Sequence, residues 1–256
     1  MLRRYFLLGA TLVTSTASRC LAADDPKQTG PLTLIIQYKC LAGQRAALRQ
    51  HAAAGLHNFA QWKSDGILAD YRILFSRYAN SRSWDMAALL TFPNYAAAAR
   101  WRFIEAHTPA GMPADALGLT TTVDTYPADL LRSQTASDPP RQPVYMVIPY
   151  TLSVAAPVYL QYADTYVIPQ FEGWIREGVL SSFQLFMQRY TADRPWDVMI
   201  FLQYKDDAAL GERESTVAKV RAQLMGNPAW KAASESKQSL RVEREVVIAD
   251  DLSLVR

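Results

Sequence analysis

Short apolar stretches rich in β-branched residues alternate along the chain with longer Ala- and Leu-rich stretches, and the whole alternation occurs twice. Residues 31–39, PLTLIIQYK, predict a strand. Residues 43–65 predict a helix whose larger apolar side chains are Leu48, Phe59 and Trp62, with Gly66 at the stop, where a left-handed C-terminal cap is cheap only for glycine. Residues 67–78 and 84–92 predict two strands joined by a turn at 79–83. Asn94 can cap a helix over 95–106, and 120–126 predict a closing strand after the Pro/Gly-bearing loop 108–118. A polar, proline-containing stretch at 133–142, SQTASDPPRQ, reads as a linker. The series then restarts: a strand over 143–150, a helix over 157–177, a hairpin ending at 204, a helix over 207–224 and a last strand over 240–248.

The two rounds are copies of one pattern. GILADYRILFSRYANSRSWD at 66–85 returns as GVLSSFQLFMQRYTADRPWD at 178–197, at a constant offset of 112 residues and without a gap. Pro31 and Pro143, Tyr38 and Tyr150, Phe59 and Phe171, and Trp62 and Trp174 keep the same offset. Self-similarity at a fixed period marks a repeated folding unit. Pro169 departs from the pattern, standing where the first copy has His57, and predicts a kink or an early break in its helix.

The repeated hairpin suggests how the sheet is covered. With Tyr78 opposite Trp84, Arg77 faces Asp85, Phe75 faces Ala87 and Ser76 faces Met86; in the second copy Leu185 faces Phe201 and Phe186 faces Ile200. Both faces of the hairpin are then largely apolar, whereas a sheet with one wet face alternates cleanly. One face is expected beneath helices and the other against a second sheet.

The β-α-β-β-α-β order, the Trp-Asp strand starts (Trp84-Asp85, Trp196-Asp197) and the small residues opening the second helices (Ala96-Ala97, Ala208-Ala209) resemble the dimeric α/β-barrel superfamily. The resemblance spans most of the chain. It implies an α+β fold in which two tandem ferredoxin-like βαββαβ units pack sheet to sheet as an intramolecular dimeric α/β barrel. The first unit covers 31–132, the linker 133–142 and the second unit 143–256. The superfamily includes small monooxygenases, EthD-like and NIPSNAP-like proteins, chlorite dismutases and haem-degrading enzymes, so the fold alone does not name an activity.

The N-terminus belongs to neither unit. Arg3-Arg4-Tyr5-Phe6-Leu7, a mildly apolar run and Cys20-Leu21-Ala22 form an export signal, residues 1–22, cut near Ala22; the run is too short for a membrane span. The arginine pair resembles a twin-arginine signal, with the general export route as the alternative. The expected location is the periplasm or the exterior. Removing the signal takes away three arginines and leaves 24 basic against 24 acidic residues, so no basic footprint for nucleic acid remains. It also leaves Cys40 as the lone thiol, which excludes an intramolecular disulfide.

Candidate chemistry is sparse. Arg77–Asp85 and Arg189–Asp197 read either as site residues or as cross-strand ion pairs, each contributing roughly 0.2–1 kcal/mol. The three histidines, His51, His57 and His107, all lie in the first unit. His51 and His57 point about 120° apart on a helix, so no metal site is expected. No histidine follows His107 to ligate haem in the manner the chlorite dismutases would require, and haem is a minor alternative to an unknown or absent cofactor. No nucleophile elbow, phosphate loop or dinucleotide fingerprint occurs. Tyr159, Tyr162 and Tyr166 form one helix stripe, apolar bodies with polar tips that read either as packing at the core edge or as the lining of a pocket.

The function expected is an exported protein that binds or transforms a small apolar or aromatic molecule in a cavity between sheet and helices, at most a cofactor-independent monooxygenase-like enzyme. Tyr38, His57, Arg77, Tyr150, Tyr166 and Arg189 are its candidate polar groups. The alternative is a non-catalytic structural or interaction protein, and a homodimer fits either reading. N-terminal sequencing of the exported protein is expected to begin at Ala23; an intact Met1 in that fraction would remove the signal.

Overall fold

The computed structural model describes residues 32–138, 140 and 142–254. The expected export signal lies outside the described residues. In chain order the first half runs β1 (Leu32–Cys40), α1 (Arg45–Ser64), β2 (Asp70–Ser76), β3 (Met86–Thr91), α2 (Tyr95–Glu105), α3 (Ala114–Leu117) and β4 (Thr120–Thr135). The second half runs β5 (Val144–Leu152), α4 (Ala156–Tyr162), a π-turn (Ala163–Val167), α5 (Ile168–Arg176), β6 (Leu180–Gln188) and β7 (Val198–Tyr204). It continues through α6 (Asp207–Gly211), α7 (Arg213–Leu224), α8 (Pro228–Leu240), β8 (Arg241–Glu243) and β9 (Val247–Asp251).

The strands hydrogen-bond in the order β7-β6-β4-β1-β3-β2-β9-β5, and a β5–β7 ladder closes the ring, with β8 attached to the end of β5. Every ladder is antiparallel. The expected α/β barrel is present, as one eight-stranded antiparallel ring in place of two separate sheets stacked face to face. The last strand of each half makes the join. β4 pairs with β1 over its first part and with β6 over its second, and β9 bridges β2 and β5. For this reason β4 extends to Thr135, into the stretch expected to be linker. The last strand, expected to be continuous, is split into β8 and β9.

Alternation along each strand sorts side chains into three cores. Ile35, Leu74, Ala87, Leu89, Tyr145, Val147, Phe186 and Phe201 fill the barrel interior. Ile36, Tyr38, Ile73, Phe75 and Met86 face α1 and α2, and Ile148, Tyr150, Leu185 and Ile200 face the second set of helices. Gly66 and Gly178 stop α1 and α5 with φ of 66° and 83°, and the following amides reach back to Trp62 and Trp174 carbonyls. Asn94 caps α2 through Ala97 N–H at 2.9 Å.

The hairpin register differs from the expected one by a single residue. Phe75 is opposite Met86 and Leu74 opposite Ala87, and Ser76 N–H donates to Asp85 O at 2.9 Å. In the second copy Phe186 is opposite Met199 and Leu185 opposite Ile200. A one-residue slip exchanges which side chains share a face. Trp84 and Trp196 accordingly enter the barrel core, while Tyr78 and Tyr190 are 71% and 68% exposed, so no Tyr–Trp pair staples the turn.

The repeated Arg and Asp do not pair with each other either. Asp85 accepts the Cys40 amide at 2.9 Å and holds Lys39 Nζ at 2.9 Å and Arg45; Asp197 accepts the Leu152 amide at 2.7 Å. Each aspartate thus fastens the end of its half's first strand. Arg77 instead reaches Asp250 on β9 at 2.8 Å and Asp207 at the start of α6, at 3.1 Å from Nη2. Arg189 reaches Asp129 on β4 at 2.9 Å and covers the ring of Tyr95 at 4.9 Å.

Burial raises the Asp85 pKa, but the Cys40 amide, Lys39 and Arg45 outweigh it and hold the carboxyl below the ordinary range. Stability from this group is full above the unfolded value of about 3.9 and is lost as pH falls through the lower folded value. Asp85→Asn is expected to cost about 1–3 kcal/mol at pH 7, because Lys39 and Arg45 lose the negative charge between them and an NH2 group replaces one acceptor oxygen, and to flatten the acid limb of a Tm-versus-pH curve. An unchanged acid limb would show that the carboxylate does not carry this stability.

Candidate ligand cavity

The cavity forms where the second half departs from the first. The helix over 156–176 meets Pro169, which has no N–H to offer the Thr165 carbonyl and whose ring crowds that turn. The helix does not end there. It widens into the π-turn Ala163–Val167, in which Ile168 N–H bonds to Ala163 O, and continues as α5. The Tyr166 carbonyl in this turn accepts from two side chains: Gln170 Nε2 donates to it at 2.8 Å and Trp230 Nε1 at 3.0 Å. Tyr159, Tyr162, Tyr166 and Trp230 follow one another at centroid spacings of 6.0, 5.3 and 5.0 Å. Trp230 comes from α8, a helix the apolar pattern did not predict.

Between this stack and the outer face of β5 lies a cavity of about 530 Å³. Met146, Ile148 and Tyr150 form its floor, and Tyr166, Val167, Phe171 and Trp174 form its helical wall. Arg213 and Arg221 enter from α7, and Arg241 and Glu243 from β8. Arg213, Val217 and Arg221 are four residues apart on a helix, and Arg241 and Glu243 two apart on a strand, so each set shares a face.

Donors outnumber acceptors here. Arg241 lies 4.0 Å from the Tyr150 ring centroid and 5.4 Å from that of Tyr162, and Nη1 donates to Tyr159 Oη at 3.4 Å; no carboxylate among the described residues pairs with it. Burial opposes its charge, yet Tyr150, Tyr159 and Tyr162 raise its pKa overall, so it stays a cation. Arg221 Nε donates to Gln170 Oε1 at 2.8 Å. Arg213 is paired with the exposed Glu214, while its Nε and the Trp174 Nε1 are buried without a partner among the described residues. Glu243 accepts from Tyr150 Oη at 3.2 Å. Burial pushes the Tyr150 and Tyr162 phenols well above their ordinary range, against the opposing pull of Arg241. Apolar walls with surplus cationic donors suit a flat or apolar body bearing an acidic group.

Of the six residues expected to share a site, Tyr150 and Tyr166 line this cavity. Tyr38, the counterpart of Tyr150, is fully buried and donates to Ala110 O. Around it the loop after α2 fills the first half's core with Ala110, Met112 and Ala116. His57 is exposed on α1, its Nδ1 2.8 Å from Ala54 O. Arg77 and Arg189 sit at the barrel joins. Arg213, Arg221, Arg241 and Glu243 were not expected. Their signals were the helical spacing of two arginines, the Asn227-Pro228 helix start and the alternation at 241 and 243. No histidine or cysteine lines the cavity, and burial holds Tyr150 protonated, so these residues do not fit a haem ligand set. Nor, among the described residues, do three or more His, Cys, Asp or Glu side chains converge on a metal position.

No family model and no curated protein matches the chain. Solved structures do. The "putative monooxygenase" of Fusobacterium nucleatum superposes with a TM-score of 0.58 at 11% identity, over 87% of this chain and 93% of that one. An anthrone oxidase-like protein gives 0.51 at 10% identity, over 88% and 92%. A mutant chlorite dismutase from Candidatus Nitrospira defluvii, in complex with cyanide, gives 0.53 at 9% identity, over 89% and 94%. The chain shares the α/β-barrel fold of these proteins. At such identities the likeness extends to fold alone.

The cavity's helical wall depends on Gly173, where a Cβ would stand 2.4 Å from Val220 Cγ1. Gly173→Ala is expected to destabilise by about 1–3 kcal/mol through overpacking, with Val220→Ala restoring part of the loss in the double variant. Additive losses in a denaturation series would show that the two helices do not meet there.

Proposed function

We propose that this protein binds a small aromatic or apolar molecule carrying an acidic group in the cavity between β5 and the helices α5 and α7. The carrying observation is the convergence of Arg213, Arg221 and Arg241 on an aromatic-walled space of about 530 Å³, with one facing carboxylate, Glu243. A guanidinium fork suits a carboxylate, and the Trp174, Phe171 and Tyr150 side chains suit a ring. A cavity of this size, with convergent polar groups, favours a ligand-binding role over a purely structural one. The reading also takes each half as a ferredoxin-like unit, 31–132 and 143–256, joined through 133–142. The matching strand orders β4-β1-β3-β2 and β9-β5-β7-β6 support this. Export and homodimer formation remain part of the proposal. Among the described residues no helix is long and apolar enough to cross a membrane.

Calorimetry with 1-naphthoate and the uncharged 1-naphthalenemethanol tests the site. Naphthoate is expected to bind more tightly than the alcohol, and Arg241→Gln or Arg221→Gln to weaken naphthoate about tenfold, the scale of one charge-assisted hydrogen bond, while leaving the alcohol unchanged. Equal binding of acid and alcohol, or variants that bind naphthoate as wild type does, would overturn the reading.

A further inference from the structure

A second cavity, of about 580 Å³, opens at the mouth of the barrel, on the interior side of the sheet. Both halves build it from equivalent positions: Trp84 with Trp196, Arg82 with Arg194, and Asp124 on β4 with Glu245 before β9. Its wall is aromatic. Tyr126 lies 5.3 Å from Trp196 by ring centroids, and Arg194 covers the Tyr126 ring at 5.5 Å.

The charges at the mouth do not cancel. Glu245 is occupied by Arg82 at 3.0 Å and Asn80 at 2.6 Å, and Lys39 is held by Asp85 at 2.9 Å. Arg194 and Arg244 line the same space with no carboxylate at ion-pair distance among the described residues, against Asp124 alone. Trp196 is 2% exposed, lines the cavity, and its Nε1–H has no acceptor among the described residues. Two unneutralised guanidinium groups and a buried donor beside an aromatic wall ask for an acceptor-rich group on a flat apolar body.

The two cavities are separate. The stretch from Arg241 to Val247 runs between them, turning Arg241 and Glu243 towards the helix-covered cavity and Arg244 and Glu245 towards the barrel mouth. Its strand is interrupted at 244–246.

We infer that the barrel mouth is a second binding site for a small planar organic anion, held by Arg194 and Arg244 with the Trp196 indole as a further donor. The inference does not rest on the function proposed above. Calorimetry of the full chain with 1-naphthoate, counting molecules bound, separates the two. Wild type is expected to bind two per chain and the Arg194→Gln/Arg244→Gln variant one, with affinity at the lost site down at least about tenfold. Both arginines are exposed, and an unchanged Tm for the variant confirms that its fold is intact. An unchanged count in the Arg194→Gln/Arg244→Gln variant overturns the second site, whether wild type binds one molecule or two. Loss of all binding in the Arg221→Gln/Arg241→Gln variant also overturns it and leaves the first reading standing. Loss of all binding in Arg194→Gln/Arg244→Gln, with the other variant unchanged, does the reverse.

Discussion

The barrel depends on an arginine–aspartate clasp made twice. At one join Arg189 of the second half holds Asp129 on β4, and at the other Arg77 of the first half holds Asp250 on β9. Backbone bonds sit beside both: Arg189 N–H to Pro127 O at 2.9 Å and Arg77 N–H to Ile248 O at 2.8 Å. The two aspartates follow alanines, Ala128 and Ala249, each buried in the barrel core. Asp129 is 1% exposed, so its charge is tolerable only with a bonded cation beside it. Where the first clasp adds the Tyr95 ring, the second adds Asp207, the residue at the equivalent helix start. The joins are related but not identical, and the ring of strands closes only where they hold.

Much of the fold was legible because apolar spacing and helix stops are local signals. Gly66, Gly178 and Asn94 stand at helix ends for reasons internal to their own turns, and the constant offset revealed the duplication. The hairpin register was misread because both faces of these strands are apolar, so a one-residue slip costs nothing visible in the sequence. The Arg and Asp of the repeat looked like partners when read along one hairpin. Their true partners are at least 40 residues away in each case, on elements that the other half supplies or that begin the same half. Helix α8 was missed because PAWKAASESKQSL is mostly small and polar, with Trp230 as the one buried anchor among its described side chains.

The site was less legible still, because it lies where the copies diverge. Tyr38 and Tyr150 occupy equivalent places, yet one hydroxyl is taken by the Ala110 carbonyl and the other reaches Glu243 at the edge of an open space. In the first half a loop folds in and fills the layer between sheet and helices. In the second, Pro169 loosens the helix, and α8 carries Trp230 and Arg241 into position. Repetition therefore marked the scaffold, and the cavity-lining arginines Arg213, Arg221 and Arg241 stand where the 112-residue offset gives Trp101, Pro109 and Asp129.

The closed ring has a consequence for how the protein meets other proteins. An open sheet presents a row of unpaired N–H and C=O groups at each edge, where a strand from another chain can add itself and begin aggregation. Here each of the eight strands of the ring has a neighbour on both sides over at least part of its length, and the ninth described strand, β8, is only three residues long and carries Arg241 and Glu243. Among the described residues the longest one-sided stretch of the ring is residues 120–127 of β4. Closing the ring thereby shortens the edge at which β-structure most commonly assembles out of control.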